Sequence, residues 1–218
     1  MCSVASSASG SRRWCDGDPL DEAPFSELRS LFLERELLLT GIGGQGVQLA
    51  AQVVAKAAIN AGREVQVFGS YGGMMRGGNT DATVVVADGT VEAPPTVTHA
   101  WSALLVHPDF AAPALQRVRR EGLVLYNATL FGASPREGAI GVPATSLGGA
   151  PVNASLVMLG AYLAVTSLVS LDLALAAVDD ALPSYRKQHV AGCQHALHTG
   201  YEAAPAGVRA PAWEEVRT

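Results

Sequence analysis

Charged side chains are scarce in this sequence, and the basic ones form no run. Aspartate, glutamate, lysine and arginine make up 16% of its 218 residues, and the formal net charge is −5. Nucleic-acid binding therefore has no electrostatic support, because it requires a concentrated basic surface. Hydrophobic residues make up 49%. This composition favours an α/β domain with a sheet buried on both faces, or a chain that buries much of its surface against partners.

Cysteine is also scarce. The three cysteines, Cys2, Cys15 and Cys193, are too scattered to ligate an iron–sulfur cluster, which normally takes four thiolates from grouped positions. We expect free, reduced thiols. His195 and His198 could share a helix face, but the sequence has no H-E-x-x-H pattern and no complete zinc ligand set. A G-x-S-x-G nucleophile turn is missing as well. We therefore predict no metal site and no catalytic residue in this chain.

Signals for export and for a membrane span are weak. Arg12 and Arg13 resemble a twin-arginine signal, but acidic residues follow where an apolar core belongs. We expect a cytoplasmic protein. The most apolar long stretch, residues 152–169, includes the polar Asn153 and Thr166. It reaches only the lower length limit for crossing a bilayer of about 30 Å. We interpret it as a buried or interface helix.

The first informative motif is a glycine loop after a short apolar strand. Residues 37–46 read L-L-L-T-G-I-G-G-Q-G. Gly41, Gly43 and Gly46 have the G-x-G-x-x-G spacing, which lets a backbone approach a ligand at a helix N-terminus. Alone, the motif leaves two readings open, a ligand contact or a tight strand-to-helix turn. The Gln45 amide can both donate and accept a hydrogen bond, so it suits a ligand or a neighbouring subunit.

A second glycine cluster follows at residues 69–79, which read G-S-Y-G-G-M-M-R-G-G-N. Five glycines among residues 69–78 cost backbone entropy that a purely structural loop would not need. Arg76 is the only cation of this loop, and its guanidinium suits a phosphate or a carboxylate. Tyr71 offers a flat apolar face with a polar tip. We favour ligand binding or an interface over a purely structural loop, since surface loops carry function disproportionately.

A dinucleotide site is the alternative that the first loop raises. Such a site places an acidic residue at the end of the second strand, about 20 residues after the glycines, to hold the ribose hydroxyls. Here that strand reads E-V-Q-V-F, so Phe68 occupies the decisive end and Glu64 lies at the opposite one. A stand-alone, NAD-dependent α/β enzyme is therefore the second hypothesis. No P-loop motif is present.

The order of predicted elements indicates the architecture. We predict strands near residues 37–39, 64–68, 81–87, 100–106, 123–126 and 139–142, and helices over residues 47–61 and 109–120. Three helices close the chain, the first capped by Asn153 and the last over residues 184–202. This order predicts an open, doubly wound, mostly parallel, Rossmann-like α/β sheet with a C-terminal helical segment. His107, at the carboxyl end of the fourth strand, is a weaker site candidate, because open sheets bind ligands at that edge.

Three motifs occur in the order in which one enzyme family has them. They are G-I-G-G-Q-G-V at residues 41–47, S-Y-G leading to M-R-G-G within residues 70–78, and N-x-x-x-V-M-L-G-A at residues 153–161. The combination resembles the gamma subunit of the 2-oxoacid:ferredoxin oxidoreductases, thiamine-diphosphate enzymes of the pyruvate, 2-oxoglutarate and indolepyruvate type. The resemblance covers about residues 37–202. Met74, Trp101 and Cys193 depart from residues that are common in the family.

The resemblance implies a gamma-type domain at residues 36–204, between an N-terminal extension at residues 1–35 and a C-terminal tail at residues 205–218. It implies one subunit, inactive alone, of a complex that oxidatively decarboxylates a 2-oxoacid to acyl-CoA. Electrons would pass to ferredoxin, or to an NAD-linked acceptor through another subunit. The implied role of this chain is to cover the active site, help bind CoA and form subunit interfaces.

The resemblance also implies partners and cofactors. The partners are alpha, beta and ferredoxin-like delta subunits. The holoenzyme would contain thiamine diphosphate, Mg²⁺ and [4Fe–4S] clusters and use CoA as co-substrate, with no cofactor bound by this chain alone. The candidate residues for CoA binding or the subunit interface are Gly43, Gly44, Gln45, Gly46, Tyr71, Arg76, Gly77, Gly78 and Asn79.

Overall fold

The structure is a computed structural model that describes residues 33–71, 78–92 and 96–213. Its centre is a six-stranded sheet in the order β2-β3-β1-β4-β5-β6. The strands are β1 (Glu34–Ile42), β2 (Glu64–Tyr71), β3 (Asn79–Ala87), β4 (Ala100–Leu105), β5 (Val118–Asn127) and β6 (Ile140–Val142). All six predicted strands are confirmed. β1 begins at Glu34, so it starts inside the predicted N-terminal extension.

Among the described strands, β3 alone runs against the others. It pairs antiparallel with β1 on one side and with β2 on the other. The pairs β1–β4, β4–β5 and β5–β6 are parallel. The predicted mostly parallel α/β sheet is therefore confirmed, with one reversed strand inserted between β1 and β2. The carboxyl ends of β1, β4, β5 and β6 consequently meet at one edge of the sheet.

Helices lie on both faces of this sheet. They are α1 (Val47–Asn60), α2 (Ala111–Gln116), α3 (Ala144–Gly148), α4 (Ala154–Thr166), α5 (Leu171–Ala181) and α6 (Val190–Glu202). The larger apolar core packs α1 and the C-terminal helices α4 to α6 on one face, and a smaller core packs α2 on the other. In the three described ranges, no helix combines the length and the apolar character that crossing a bilayer requires.

The predicted helix over residues 109–120 is wrong in its second half. α2 ends at Gln116, and β5 begins at Val118. Basic residues are favourable at a helix C-terminus, but two arginines here bind backbone carbonyls of residues just before β4. Arg117 Nε donates to Val97 O at 2.9 Å, and Arg119 Nε donates to His99 O at 2.8 Å. These tertiary contacts outweigh the local preference for a helix.

The apolar stretch at residues 152–169 forms α4, and its prediction as a buried helix is confirmed. Every residue of α4 except Ala164 is buried. α4 crosses α6 at a pair of glycines. A Cβ on Gly160 would collide with the Leu197 carbonyl oxygen, and a Cβ on Gly200 would collide with the Val157 carbonyl oxygen. The two helices therefore approach nearly to backbone contact.

The irregular segment that follows α6 packs against the end of α4. Ala210 N–H donates to Val165 O at 2.9 Å, and Ala212 N–H donates to Thr166 O at 2.7 Å. Both acceptors are carbonyls of the last helical turn, which have no partner within a helix. Residues 205–213 of this tail contain no helix or strand.

Candidate functional site

The first glycine loop is a tight turn that holds itself together. The Gln45 amide oxygen accepts a hydrogen bond of 3.0 Å from the Ile42 N–H, and the Gln45 N–H donates to the Ile42 carbonyl at 3.2 Å. Gln45 is only 5% exposed. We predicted an adaptable contact of this side chain with a ligand or a subunit, but its amide oxygen serves the turn itself.

Three glycines of this loop meet separate steric demands. Gly44 and Gly46 adopt left-handed φ angles of 98° and 80°. A Cβ on Gly46 would also collide with the Val152 carbonyl oxygen, and a Cβ on Gly41 would lie 2.8 Å from the Gln45 amide oxygen. A tight strand-to-helix turn therefore explains why these positions are glycine. Gly44 remains exposed to solvent.

The two glycine loops meet at the start of β3. The Gly43 N–H donates to the Gly78 carbonyl at 3.0 Å. Arg76 and Gly77 lie outside the described residues, and Tyr71 is described by its backbone alone. Their assignment to CoA or to an interface stays a prediction.

Asn79 belongs to a different cavity. Its Nδ2 donates to Asp81 Oδ2 at 2.7 Å, and its buried Oδ1 has no partner among the described residues. With Thr40 and Asp81 it lines a cavity of about 40 Å³ beside α2. The structure therefore does not bring Asn79 into one cleft with the first loop.

An open cleft of about 280 Å³ lies at the carboxyl edge of the sheet, where the first loop faces the ends of β4 and β5. Its lining is mostly apolar and comprises Ile42, Gly43, Gly44, Gln45, His107, Leu130, Thr145 and Pro151. No lysine or arginine is among these residues. Open α/β sheets bind ligands at this edge, so the cleft is the main candidate site.

Asn127, the last residue of β5, is fully buried beneath the cleft. Its Nδ2 donates to Val106 O at 3.2 Å and to Thr145 Oγ1 at 2.8 Å. Its Oδ1 accepts from the Thr145 N–H at 3.3 Å. This side chain thus links the end of β4 to the start of α3.

His107 lies at one side of the cleft. Its Nδ1 accepts from the Asp109 N–H at 3.3 Å and lies 3.6 Å from Asp109 Oδ2. While Nδ1 accepts this bond, the neutral ring carries its proton on Nε2. His107, a weaker candidate from its place after the fourth strand, is brought to the same cleft as the first loop.

Three exposed apolar side chains belong to segments that line the cleft: Leu130 lines it directly, Leu147 follows Thr145 by two residues on α3, and Val152 is next to Pro151. Leu130 and Leu147 are each 37% exposed, and Val152 is 46% exposed. We call these three residues the apolar rim. Grouped apolar side chains on a surface mark contact with a ligand or another protein.

Asn153 stands at the N-cap position of α4, but its predicted capping role is wrong, because the side chain makes no capping hydrogen bond. Its Nδ2 instead donates to the Gly148 carbonyl at 2.9 Å, at the end of α3. The helix start is held by the first glycine loop, since the Ser155 N–H donates to Gln45 O at 3.3 Å. Asn153 therefore fixes the segment that forms one wall of the cleft.

The described residues contain no group of three or more histidine, cysteine or acidic side chains placed to hold a metal ion. Burial raises the pKa of the Cys193 thiol. Cys193 is the one cysteine among the described residues, so they do not supply the four thiolates that an iron–sulfur cluster takes.

The strand order of this sheet argues against a dinucleotide site. Phe68 lies on β2, which β3 separates from β1 and its glycine loop. Two strand spacings amount to roughly 10 Å, so the end of β2 is not the neighbour of the loop that a dinucleotide unit requires.

Comparison with known proteins decides between the two hypotheses. Residues 36–203 match the model of the pyruvate ferredoxin/flavodoxin oxidoreductase family. The chain belongs to this family. Relatives in it include the ketoisovalerate oxidoreductase subunit VorA of Methanothermobacter marburgensis, 32% identical over 68% of this chain and 30% of that protein. The 2-oxoglutarate synthase subunit KorC of Methanothermobacter thermautotrophicus is 31% identical over 69% of this chain and 86% of its own length.

Solved structures support the family assignment. The gamma subunit of a keto/oxoacid ferredoxin oxidoreductase from Geobacter sulfurreducens has a TM-score of 0.63 and 26% identity, over 79% of this chain and 99% of that one. The 2-oxoglutarate:ferredoxin oxidoreductase of Magnetococcus marinus shares the fold, with a TM-score of 0.70 and 16% identity over 82% of this chain and 32% of that one. This chain spans less than a third of the VorA relatives it matches.

Residues of this family member that sequence reasoning missed include Thr145, Leu130 and the buried Asn127. The sequence did carry a signal for Asn127, because it is a polar residue directly after the apolar run of residues 123–126. Polar residues at the carboxyl ends of strands often belong to sites in open sheets. Thr145 carried no such signal, since it lies in a passage rich in proline and glycine, residues 143–151, within which α3 forms.

Proposed function

We propose that this chain is the gamma-type subunit of a multi-subunit oxidoreductase that oxidatively decarboxylates a 2-oxoacid to acyl-CoA and passes the electrons to ferredoxin or another acceptor. Its role is to cover the active site, to help bind CoA and to form subunit interfaces. The alpha, beta and ferredoxin-like chains supply thiamine diphosphate, Mg²⁺ and the [4Fe–4S] clusters, and the complex resides in the cytoplasm.

The observation that carries this proposal is the cleft at the carboxyl edge. It has an apolar lining, a single histidine and a rim of exposed apolar side chains. Such a surface suits a ligand or a partner that another chain completes, because buried apolar contacts drive association while polar groups fix orientation. The match of residues 36–203 to the family supports the same reading.

The relatives act on different 2-oxoacids by name: ketoisovalerate, 2-oxoglutarate and pyruvate. A chain similar to subunits of all three enzymes suits the step that these enzymes have in common, which we take to be the transfer of the acyl group to CoA. We therefore assign the choice of 2-oxoacid to other chains of the complex.

The test is reconstitution with the alpha, beta and delta chains of the proposed complex. We expect the four chains to co-purify and to reduce a viologen dye in a manner that requires both CoA and one of three substrates, pyruvate, 2-oxoglutarate or 2-oxoisovalerate. Omitting this chain should abolish CoA-dependent turnover. Full activity of a complex that lacks it would overturn the proposal, as would stoichiometric NAD on the chain purified alone.

A further inference from the structure

The hydrogen bonds of Asn127 fix the direction of the hydroxyl at the cleft. Val106 O can only accept, and the Thr145 N–H can only donate, so the Asn127 amide must present Nδ2 to the former and Oδ1 to the latter. The same Nδ2 then donates to Thr145 Oγ1 at 2.8 Å. Thr145 Oγ1 is thus an acceptor toward Asn127.

This arrangement leaves the hydroxyl proton of Thr145 free of Asn127. A hydroxyl has one proton and two lone pairs, and only a lone pair is used by the buried amide. Thr145 also lines the cleft, beside Ile42, Gly43 and His107. Its proton is therefore available to an acceptor atom inside the cleft, because the Asn127 Nδ2 that contacts this hydroxyl is only a donor.

We infer that Thr145 donates a hydrogen bond to an uncharged carbonyl oxygen of the ligand and that the buried Asn127 is the positioning residue behind it. This inference rests on the proposed function and names the part of CoA that the cleft takes: the amide-bearing pantetheine arm. The apolar lining suits the methylene groups of this arm, and the hydroxyl suits an amide carbonyl.

The phosphate-bearing end of CoA would bind outside this cleft. Phosphate recognition favours arginine or lysine, and neither is among the cleft residues that the structure describes. A neutral arm requires only a few directed polar contacts to fix its orientation along an apolar wall. The Thr145 hydroxyl is one donor that the cleft supplies.

The experiment measures binding to the reconstituted four-chain complex by titration calorimetry. The probes are CoA, pantetheine and adenosine 3′,5′-bisphosphate, the last two by competition against CoA. The variants are Thr145→Val, which removes the hydroxyl at nearly constant shape, and Thr145→Ser, which retains it. The control is Thr129→Val: Thr129 Oγ1 accepts from the Ser146 N–H at 3.3 Å and lies 3.3 Å from Ser146 Oγ, but Thr129 does not line the cleft. It shows whether disturbing α3 is by itself enough to weaken binding.

We expect Thr145→Val to weaken CoA and pantetheine by about 3- to 10-fold, the loss of one neutral hydrogen bond. The affinity for adenosine 3′,5′-bisphosphate should not change. Thr145→Ser and Thr129→Val should stay within about 2-fold of the parent protein, and KM for CoA should rise in Thr145→Val while kcat holds.

A double-mutant cycle tests the positioning role of Asn127. If Asn127 acts through Thr145, the pair Asn127→Ala and Thr145→Val should bind pantetheine no more weakly than Thr145→Val alone. Additive losses would overturn the positioning role.

Three other results would overturn the inference about Thr145: unchanged pantetheine affinity in Thr145→Val, an equal loss in Thr145→Ser, or an equal loss for adenosine 3′,5′-bisphosphate. Each of these results is compatible with an active complex, so none of them would contradict the proposed function.

Discussion

At the scale of single residues, Gly44 and Gly46 differ in what a side chain would meet. Both have left-handed φ angles, but a Cβ on Gly44 would point into open space, whereas one on Gly46 would strike the Val152 carbonyl. Left-handed backbone costs an alanine about 1–2 kcal/mol, and overpacking adds about 1–3 kcal/mol.

We therefore expect Gly44→Ala to lower the free energy of unfolding by about 1–2 kcal/mol and Gly46→Ala to lower it by clearly more. Denaturant unfolding of the two variants side by side measures the difference. Equal losses would show that the contact with Val152 does not constrain this turn.

Tyr162 should make the free energy of unfolding depend on pH. It is fully buried, and its hydroxyl lies 3.0 Å from Ser102 Oγ. Ser102 Oγ donates to Glu36 O at 3.2 Å, so the tyrosine must be the donor to Ser102. Burial, the largest cause, raises the pKa of Tyr162 well above its ordinary value of 10.0.

The unfolded chain therefore loses this proton at lower pH than the folded one. The stabilisation is fully present below pH 10 and is lost as the pH rises above it, at a slope of about 1.4 kcal/mol per pH unit. In Tyr162→Phe we expect a shallower fall of the unfolding free energy between about pH 10 and pH 11.5. Urea titrations at several pH values give this slope, and parallel slopes in the two proteins would contradict the assignment.

At the scale of elements, the crossing of α4 and α6 depends on two glycines. Backbone atoms of the neighbouring helix already occupy the position that the Cβ of an alanine at Gly160 or Gly200 would take. Backbone cannot rotate away as a side chain can, so the helices must separate. We expect Gly160→Ala and Gly200→Ala each to lower the free energy of unfolding by about 3 kcal/mol or more.

Gly192, also on α6, is a matched control, because a Cβ there would meet nothing within 4 Å. Gly192→Ala should raise the stability by about 0.5–1 kcal/mol through helix propensity. Thermal unfolding of the three variants provides the comparison. A destabilised Gly192→Ala, or tolerance of alanine at Gly160 and Gly200, would show that backbone contact does not limit this crossing.

At the scale of the whole molecule, the apolar rim should hold this chain in its complex. Leu147 lies near the end of α3, 37% exposed, and Ile59 lies near the end of α1, 57% exposed. Lysine is compatible with both helix ends, since cations are favourable near helix C-termini. The two positions therefore allow the same substitution in similar local settings.

We expect Leu147→Lys to reduce co-purification with the partner chains at least tenfold, and Ile59→Lys to leave it unchanged. Both isolated variants should keep the melting temperature of the parent chain within about 2 °C, since surface substitutions change stability by about 0.5 kcal/mol or less. Loss of assembly in both variants, or in neither, would remove the rim from the interface.

The sequence by itself determined the α/β class and the positions of most elements, because apolar runs and glycine turns act locally. It indicated the buried α4, since a stretch without charges and with few polar groups is stable only inside the protein. It also marked the first glycine loop, and the motif order indicated the family before any comparison.

Tertiary structure decided what those elements do for one another. The reversed β3 separates β2 from β1, and no local pattern specifies strand order. Arg117 and Arg119 bind the carbonyls of residues 97 and 99, because the fold brings those carbonyls within reach. Asn127 and Thr145 are 18 residues apart, and only the fold brings them together at the cleft. Hydrogen bonds between distant residues depend on the assembled backbone, so the sequence could place the site at a sheet edge but could not name its donor.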